Sequence, residues 1–194
     1  MPELQVGVLT TPDELLVGLA RGGDSSAQEE LFRRHFGMAH CVAYRHLGHE
    51  QDAQDAVQDA FVKALCHLGD FDGRSGFKTW LMKIVTNAAL DFGRKRRRRP
   101  AIRIDEAETG GVEVAIVDDP ALGLHRDDLR KALNVALERL SPSTRATFIL
   151  FAEAELSYKE IASCQNLPVG TVMSRLHYAR QKLQEYLEGV QDPE

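Results

Sequence analysis

The sequence predicts an all-α protein: two small helical domains joined by a flexible acidic linker, the C-terminal one a helix-turn-helix. Three observations predict it. Apolar residues recur at three-and-four spacing through nearly every segment. No stretch alternates with period two for long enough to form a strand. The periodicity is lost only over residues 101–126, which contain Gly110-Gly111 and an excess of acids, the composition of an extended connection.

The elements follow in order. Thr11-Pro12-Asp13-Glu14 opens the first helix, with Thr11 as cap, Pro12 at the first helical position and Glu14 completing a capping box. Ser26-Ala27-Gln28-Glu29 repeats the signal for a second helix, whose apolar residues include Leu31, Phe36, Ala39 and Val42 and which Gly48 stops. The third has the clearest period: Ala53, Ala56, Val57, Ala60, Phe61, Ala64, Leu65 and Leu68 form a core face. Gly69 to Gly76 is rich in turn residues and reads as a loop. A fourth helix buries Phe77, Trp80 or Leu81, Ile84, Ala88 and Phe92, and shows a polar stripe of Lys83, Asn87, Asp91 and Arg94. Pro100 closes this domain.

After the linker, Leu129, Leu133, Ala136, Leu137 and Leu140 line a helix, and Ser141-Pro142 starts another carrying Phe148, Ile149 and Ala152. Ser157-Tyr158-Lys159-Glu160 is a capping box opening a short helix, and Asn166 suits a left-handed turn. The last helix, from about Val169, places Val172, Leu176, Ala179, Leu183 and Tyr186 on one face. The domains expected are residues 11–99 and 127–188, with 100–126 between them.

Composition narrows the function. The chain has 194 residues, 43% of them hydrophobic, with no apolar run approaching the roughly 20 a membrane span needs. No secretory signal is visible at the N-terminus. Cys41, Cys66 and Cys164 lie far apart, which suits neither a disulfide framework nor a zinc site and points to a reducing cytoplasm. No metal or cofactor is expected. The net charge of -5 is uneven: residues 1–92 carry -5, 93–99 carry +6, 100–127 carry -5 and 128–194 carry -1. A basic block in an acidic chain fits either a polyanion contact or a solvated or targeting segment.

Three constellations stand out. Asp52, Asp55 and Asp59 recur on one side of the third helix with Gln58 beside them. One helix face converges poorly on a metal, so this is solvated surface or a docking face for a basic partner. Phe71, Arg74, Ser75, Phe77, Lys78 and Trp80 lie in or beside the loop, ahead of Lys83, Asn87 and Arg94. Aromatics with cations suit unpaired bases and a phosphate chain, although Phe77 and Trp80 taken alone read as core. Finally, Ser157 to Leu183 has the pattern of a helix-turn-helix, with Thr171, Ser174, Arg175 and Tyr178 sharing the outward face of its second helix. Arg175 suits guanine, and Arg180 and Lys182 suit phosphate. An ordinary helical hairpin is the plainer alternative.

Asp52 to Phe61, Phe77-Lys78-Thr79-Trp80-Leu81, Ser157 to Ala162 and Pro168 to Leu176 together resemble bacterial RNA polymerase sigma factors of the extracytoplasmic-function group of the sigma-70 family. The resemblance covers about residues 12–99 and 127–188 in the family's order. It implies a promoter-specificity subunit without a catalytic centre. Asp52, Asp55, Gln58 and Asp59 match the segment that docks on the clamp helices of the polymerase largest subunit. The loop and stripe match the parts that recognise and melt the minus-ten element. The C-terminal unit matches the domain that binds the minus-thirty-five element and the flap of the second-largest subunit. The acidic linker resembles the family connector toward the RNA path, and an anti-sigma factor is an implied partner. Met173 stands where the family often has a basic residue, and Gln165-Asn166 replaces the usual apolar-Gly turn.

Two other functions compete. A stand-alone helix-turn-helix regulator would share the C-terminal pattern but leaves the acidic helix, aromatic loop and basic run unexplained. A recombinase or nuclease needs a nucleophile or metal-holding carboxylates, and Ser75 has no adjacent base.

Overall fold

The computed structural model describes residues 11–98 and 132–191, which are helical with no strand among them. The N-terminal half comprises α1 (Asp13–Arg21), α2 (Ser25–Leu47), α3 (Glu50–His67), a 3₁₀ turn (Leu68–Asp70) and α4 (Phe77–Arg98). The C-terminal half comprises α5 (132–138), α6 (Pro142–Ala152), α7 (Tyr158–Gln165) and α8 (Val169–Gln191). The linker expected at 100–126, and Leu129, lie outside the described residues.

Most boundaries fall where local chemistry puts them. Gly48 ends α2 in the left-handed region at φ 69°, and its N–H donates to Tyr44 O. Ser141 caps α6, with Pro142 opening the helix. Ser157 and Glu160 form the capping box of α7, and Asn166 ends it at φ 52°.

Two helix starts differ from expectation. α1 begins at Asp13 with Pro12 in the cap position, whose ring has no acceptor to offer, while Pro12 O accepts the N–H groups of Leu15 and Leu16. Thr11 instead gives its carbonyl to the Arg34 guanidinium at 2.6 Å. α2 is capped by Asp24, whose carboxylate accepts from Ala27 N at 3.0 Å, so Ser26 lies inside the first turn. A carboxylate there also complements the helix dipole.

The core of the N-terminal half is built on small residues. Ala53, Ala56, Val57, Ala60 and Ala64 of α3 are fully buried, which lets α3 approach α2 and α4 closely. The period misplaces two residues: Phe36 is 45% exposed and Leu65 is 39% exposed, at the edge of the buried stripe. Within α2, Glu30 accepts from both Arg33 and Arg34, and Arg34 ties α2 to α1 by also reaching Asp13 at 3.0 Å. Hydrogen bonds from those two guanidiniums hold the Glu30 carboxyl down to about 2.

The two halves pack together. Ile149, Leu150, Leu156, Ile161, Ala162, Cys164, Val172 and Leu176 join the same apolar core as α2–α4. A smaller cluster of Ala136, Leu137, Leu140, Ala179 and Leu183 ties α5 to α8. α7 lies against α4, and α6 against α2.

Candidate functional site

Three surfaces carry the residues singled out above. On α3, Asp55, Gln58 and Asp59 are exposed while their helix buries its alanines on the other side. Asp52 is different: half-buried, it is paired with Arg96 in the last turns of α4. The row therefore splits into three exposed groups and one carboxylate engaged by the basic run. Val62, 61% exposed, continues the stripe at three-and-four spacing from Asp55, Gln58 and Asp59, and Leu65 follows. Phe36 and Phe61, with ring centroids 6.2 Å apart, lie next to it across the α2–α3 hairpin. Sequence reasoning missed this apolar continuation because it assigned Leu65 to the core and passed over Val62.

The loop before α4 is built on three rings. Phe71 meets Phe77 at 6.1 Å and Trp80 at 5.3 Å, and Phe77 meets Trp80 at 5.7 Å. Phe71 and Phe77 are buried and Trp80 half-buried, so the aromatics form the floor of the loop rather than its exposed face. Arg21 of α1 donates to Gly69 O at 2.9 Å and to Phe71 O at 3.4 Å, fixing the loop's entry. At its tip Asp72 accepts from Arg74 N at 3.1 Å and pairs with the Arg74 guanidinium at 2.9 Å, with Gly73 at φ 72°. Arg74 is exposed there, and Ser75 half-buried behind it.

Along α4, Asn87 and Arg94 are exposed, and Arg94 pairs with Asp91. Lys78 and Lys83 are half-buried. The basic run is helical as far as Arg98, extending α4 rather than trailing from it. Thr79, given no role of its own in the sequence, is buried and donates from Oγ1 to Glu160 Oε1 of α7 at 2.8 Å.

In the C-terminal half, Leu167 N donates to Ala162 O at 2.9 Å across the Asn166 turn, setting α7 against α8. Met173, Ser174 and Tyr178 are exposed at the head of α8, and Thr171 and Arg175 half-buried. Val172, Leu176 and Ala179 are buried on the opposite face. Ser174 donates to Gly170 O at 2.9 Å, which leaves its oxygen free to accept. Farther along, the Arg180 guanidinium lies 5.1 Å from the Phe151 ring centroid, and Lys182 pairs with Glu185 at 2.6 Å.

Two families match these halves in the order expected. Sigma-70 region 2 matches residues 31–99, and Sigma-70, region 4 matches residues 130–183. The RNA polymerase sigma-H factor of Pseudomonas aeruginosa is 32% identical over 181 residues, covering 91% of this chain and 94% of that protein. The ECF RNA polymerase sigma-E factor of Escherichia coli strain K12 is 33% identical over 177 residues, covering 88% and 92%. The chain belongs to the extracytoplasmic-function sigma factors of the sigma-70 family.

Solved structures share this fold. CnrH, in complex with the cytosolic domain of CnrY, has a TM-score of 0.69 at 30% identity, covering 91% of this chain and 97% of that one. The sigma factor RpoE of Bartonella quintana, in complex with the anti-sigma factor NepR, has a TM-score of 0.62 at 25% identity, covering 82% and 96%. This sigma factor directs transcription initiation. Among its described residues no helix is long and apolar enough to cross a membrane, and no His, Cys, Asp and Glu gather into a metal site.

Proposed function

We propose that this sigma factor works entirely by binding, as a cytoplasmic, non-enzymatic subunit with three contact faces. Residues 11–99 form the domain that binds core polymerase and the minus-ten element, and 127–188 the domain for the minus-thirty-five element. Asp55, Gln58 and Asp59 offer charge to the clamp helices of the largest subunit, while Val62 and Leu65 add apolar area. Asp52 acts indirectly, by holding Arg96 and the basic end of α4. Arg74 and Ser75 on the loop, with Lys78, Lys83, Asn87 and Arg94, take the minus-ten strand, and Phe71, Phe77 and Trp80 support the loop beneath them. On α8, Thr171, Met173, Ser174, Arg175 and Tyr178 meet bases, and Arg180 and Lys182 meet phosphates once released from Phe151 and Glu185. The C-terminal domain also takes the flap, and an anti-sigma protein is the expected inhibitor.

The observation that carries this reading is the acidic and apolar stripe of α3 left open to solvent beside a basic, loop-flanked α4. A DNA-binding regulator has no use for such a stripe. Run-off transcription with core polymerase tests it: the purified chain should make core initiate at a promoter of its own. Transcription only when a holoenzyme is already present would favour the regulator and overturn the proposal.

A further inference from the structure

We propose that Arg21, in the last turn of α1, is the positioning residue for the loop before α4, and that minus-ten preference depends on it. What the loop does at the promoter rests on the sigma-factor reading above, whereas the clamp itself rests on geometry alone. The Sigma-70 region 2 match begins at residue 31, so α1 lies ahead of it.

α1 is anchored to α2 at both ends. At its start Asp13 meets Arg34 at 3.0 Å and His35 Nε2 at 2.7 Å. At its end Gln28 donates from Nε2 to Ala20 O at 3.0 Å. Leu16, Val17 and Ala20 are buried along its length. From this fixed base the Arg21 guanidinium reaches residues 48 and 50 positions farther along the chain. Nη2 donates to Gly69 O at 2.9 Å, and Nη1 to Phe71 O at 3.4 Å. The two carbonyls stand on either side of Asp70, where the 3₁₀ turn gives way to the loop. A planar, charged fork can span two acceptors at once and bonds them more strongly than a neutral donor would. A lysine ammonium in its place is a point charge on a flexible stem and cannot reproduce the fork.

The loop needs such a clamp. Gly69, Gly73 and Gly76 punctuate it, and Gly73 takes φ 72°, so its backbone has much conformational freedom to lose. At the tip Asp72 holds Arg74, a contact within the loop that moves with it. Position relative to the helices comes instead from Phe71, whose ring packs on Phe77 and Trp80 and whose carbonyl takes the Arg21 fork. Ring and carbonyl belong to one residue, so releasing the carbonyl lets the ring lift from Trp80 and carries Arg74 and Ser75 with it. Polar recognition requires side chains held to about 0.5 Å. A shift of that order costs base preference while leaving the helices folded.

Trp80 is the chain's one tryptophan and lies 5.3 Å from the Phe71 ring, so its fluorescence reports the loop floor directly. In the full chain, Arg21→Ala should shift Trp80 emission to the red and raise its quenching by acrylamide, with unchanged far-UV circular dichroism. Arg21→Lys, which keeps the charge without the fork, should do the same. Emission and quenching identical to wild type would overturn the clamp. Should Arg21→Ala unfold, Arg21→Lys decides by the same readings. In holoenzyme, selection from a library randomised across the minus-ten element should show Arg21→Ala losing base preference severalfold, with the minus-thirty-five motif and core association kept. An unchanged minus-ten motif would overturn the proposal, and so would an equal loss at both elements, which marks a general structural defect. Arg74→Ala combined with Ser75→Ala separates the two ways of failing. If that change alters the minus-ten motif and Arg21→Ala does not, the positioning role alone falls; if neither alters it, the reading of the loop falls as well.

Discussion

At the head of α8, neighbouring side chains differ in what they can report about sequence. Arg175 presents a forked donor on the outward face, so Arg175→Ala should lose about 1–3 kcal/mol at one base pair and relax preference there. Arg180→Ala should weaken binding evenly across sequences and lower its salt dependence, because a phosphate contact positions without specifying. Selection from an upstream-randomised promoter library in holoenzyme separates the two, and an unchanged motif with unchanged affinity in Arg175→Ala would sink the assignment. On α3, Val62 is so exposed that Val62→Asp should change folding stability by no more than about 0.5 kcal/mol. The same change should weaken core polymerase association severalfold, measured by competition against wild type. Normal association would remove Val62 from the docking face. Residues of this kind were only partly legible in the sequence. The exposed Asp55 and Asp59 followed from period alone, but the capture of Asp52 by Arg96 joins residues 44 positions apart. No local pattern announces such a contact. Phe71 read as loop because its neighbours are turn formers, and it is buried because Phe77 and Trp80 close over it.

Helix ends were legible at Ser157, Ser141 and Gly48, where the deciding groups lie within a few residues, but at the start of α2 the equally local Asp24 takes the cap expected of Ser26. They shifted where a distant group intervened, as when Arg34 took the Thr11 carbonyl. Helix faces were legible in period but not in extent: α3 has more apolar residues than its neighbours can cover, so Val62 and Leu65 remain outside. The turn between α7 and α8 is the element on which recognition geometry depends most directly. Asn166 sits there at φ 52° and ψ 50°, a conformation that costs an ordinary L-residue about 1–2 kcal/mol. Asn166→Gly should therefore be nearly neutral, and Asn166→Ala should destabilise by about 1 kcal/mol, read from chemical denaturation. The departure from the usual apolar-Gly turn thus preserves the backbone requirement with a different residue. Equal stability of the two variants would mean that the turn relaxes out of the left-handed region, and with it the angle between α7 and α8.

The arrangement of the two halves was not legible at all, because it depends on pairs such as Arg45–Glu153 and Thr79–Glu160 that join residues 108 and 81 positions apart. It carries a pH dependence of its own. His46, near the end of α2, has its Nε2 closed off from water with no hydrogen-bond partner. Burial first, and then the positive charge of Arg145 on α6, lower its pKa from 6.5 to about 4. The other charged groups at this end are Arg45 of α2 and Glu153 of α6, already paired, and Glu138 of α5, which approaches Gly48. Unfolding removes Arg145 and admits water, returning the imidazole toward its ordinary value. The unfolded chain then binds a proton as pH falls through about 6.5, which the folded chain refuses until about 4. The stability that His46 contributes is accordingly complete above that window and progressively lost within it, by about tenfold in the folding equilibrium between roughly pH 7.5 and 5.5. Glu160, held below the usual carboxylate range chiefly by the Ser157 hydroxyl, keeps its charge throughout and does not confuse the reading. Chemical denaturation of wild type across that interval should show stability falling toward acid, and His46→Leu should lose that part of the fall. A fall of the same size in His46→Leu would place the acid response elsewhere, and a flat wild-type curve would mean that His46 binds its proton alike in the folded and unfolded chain.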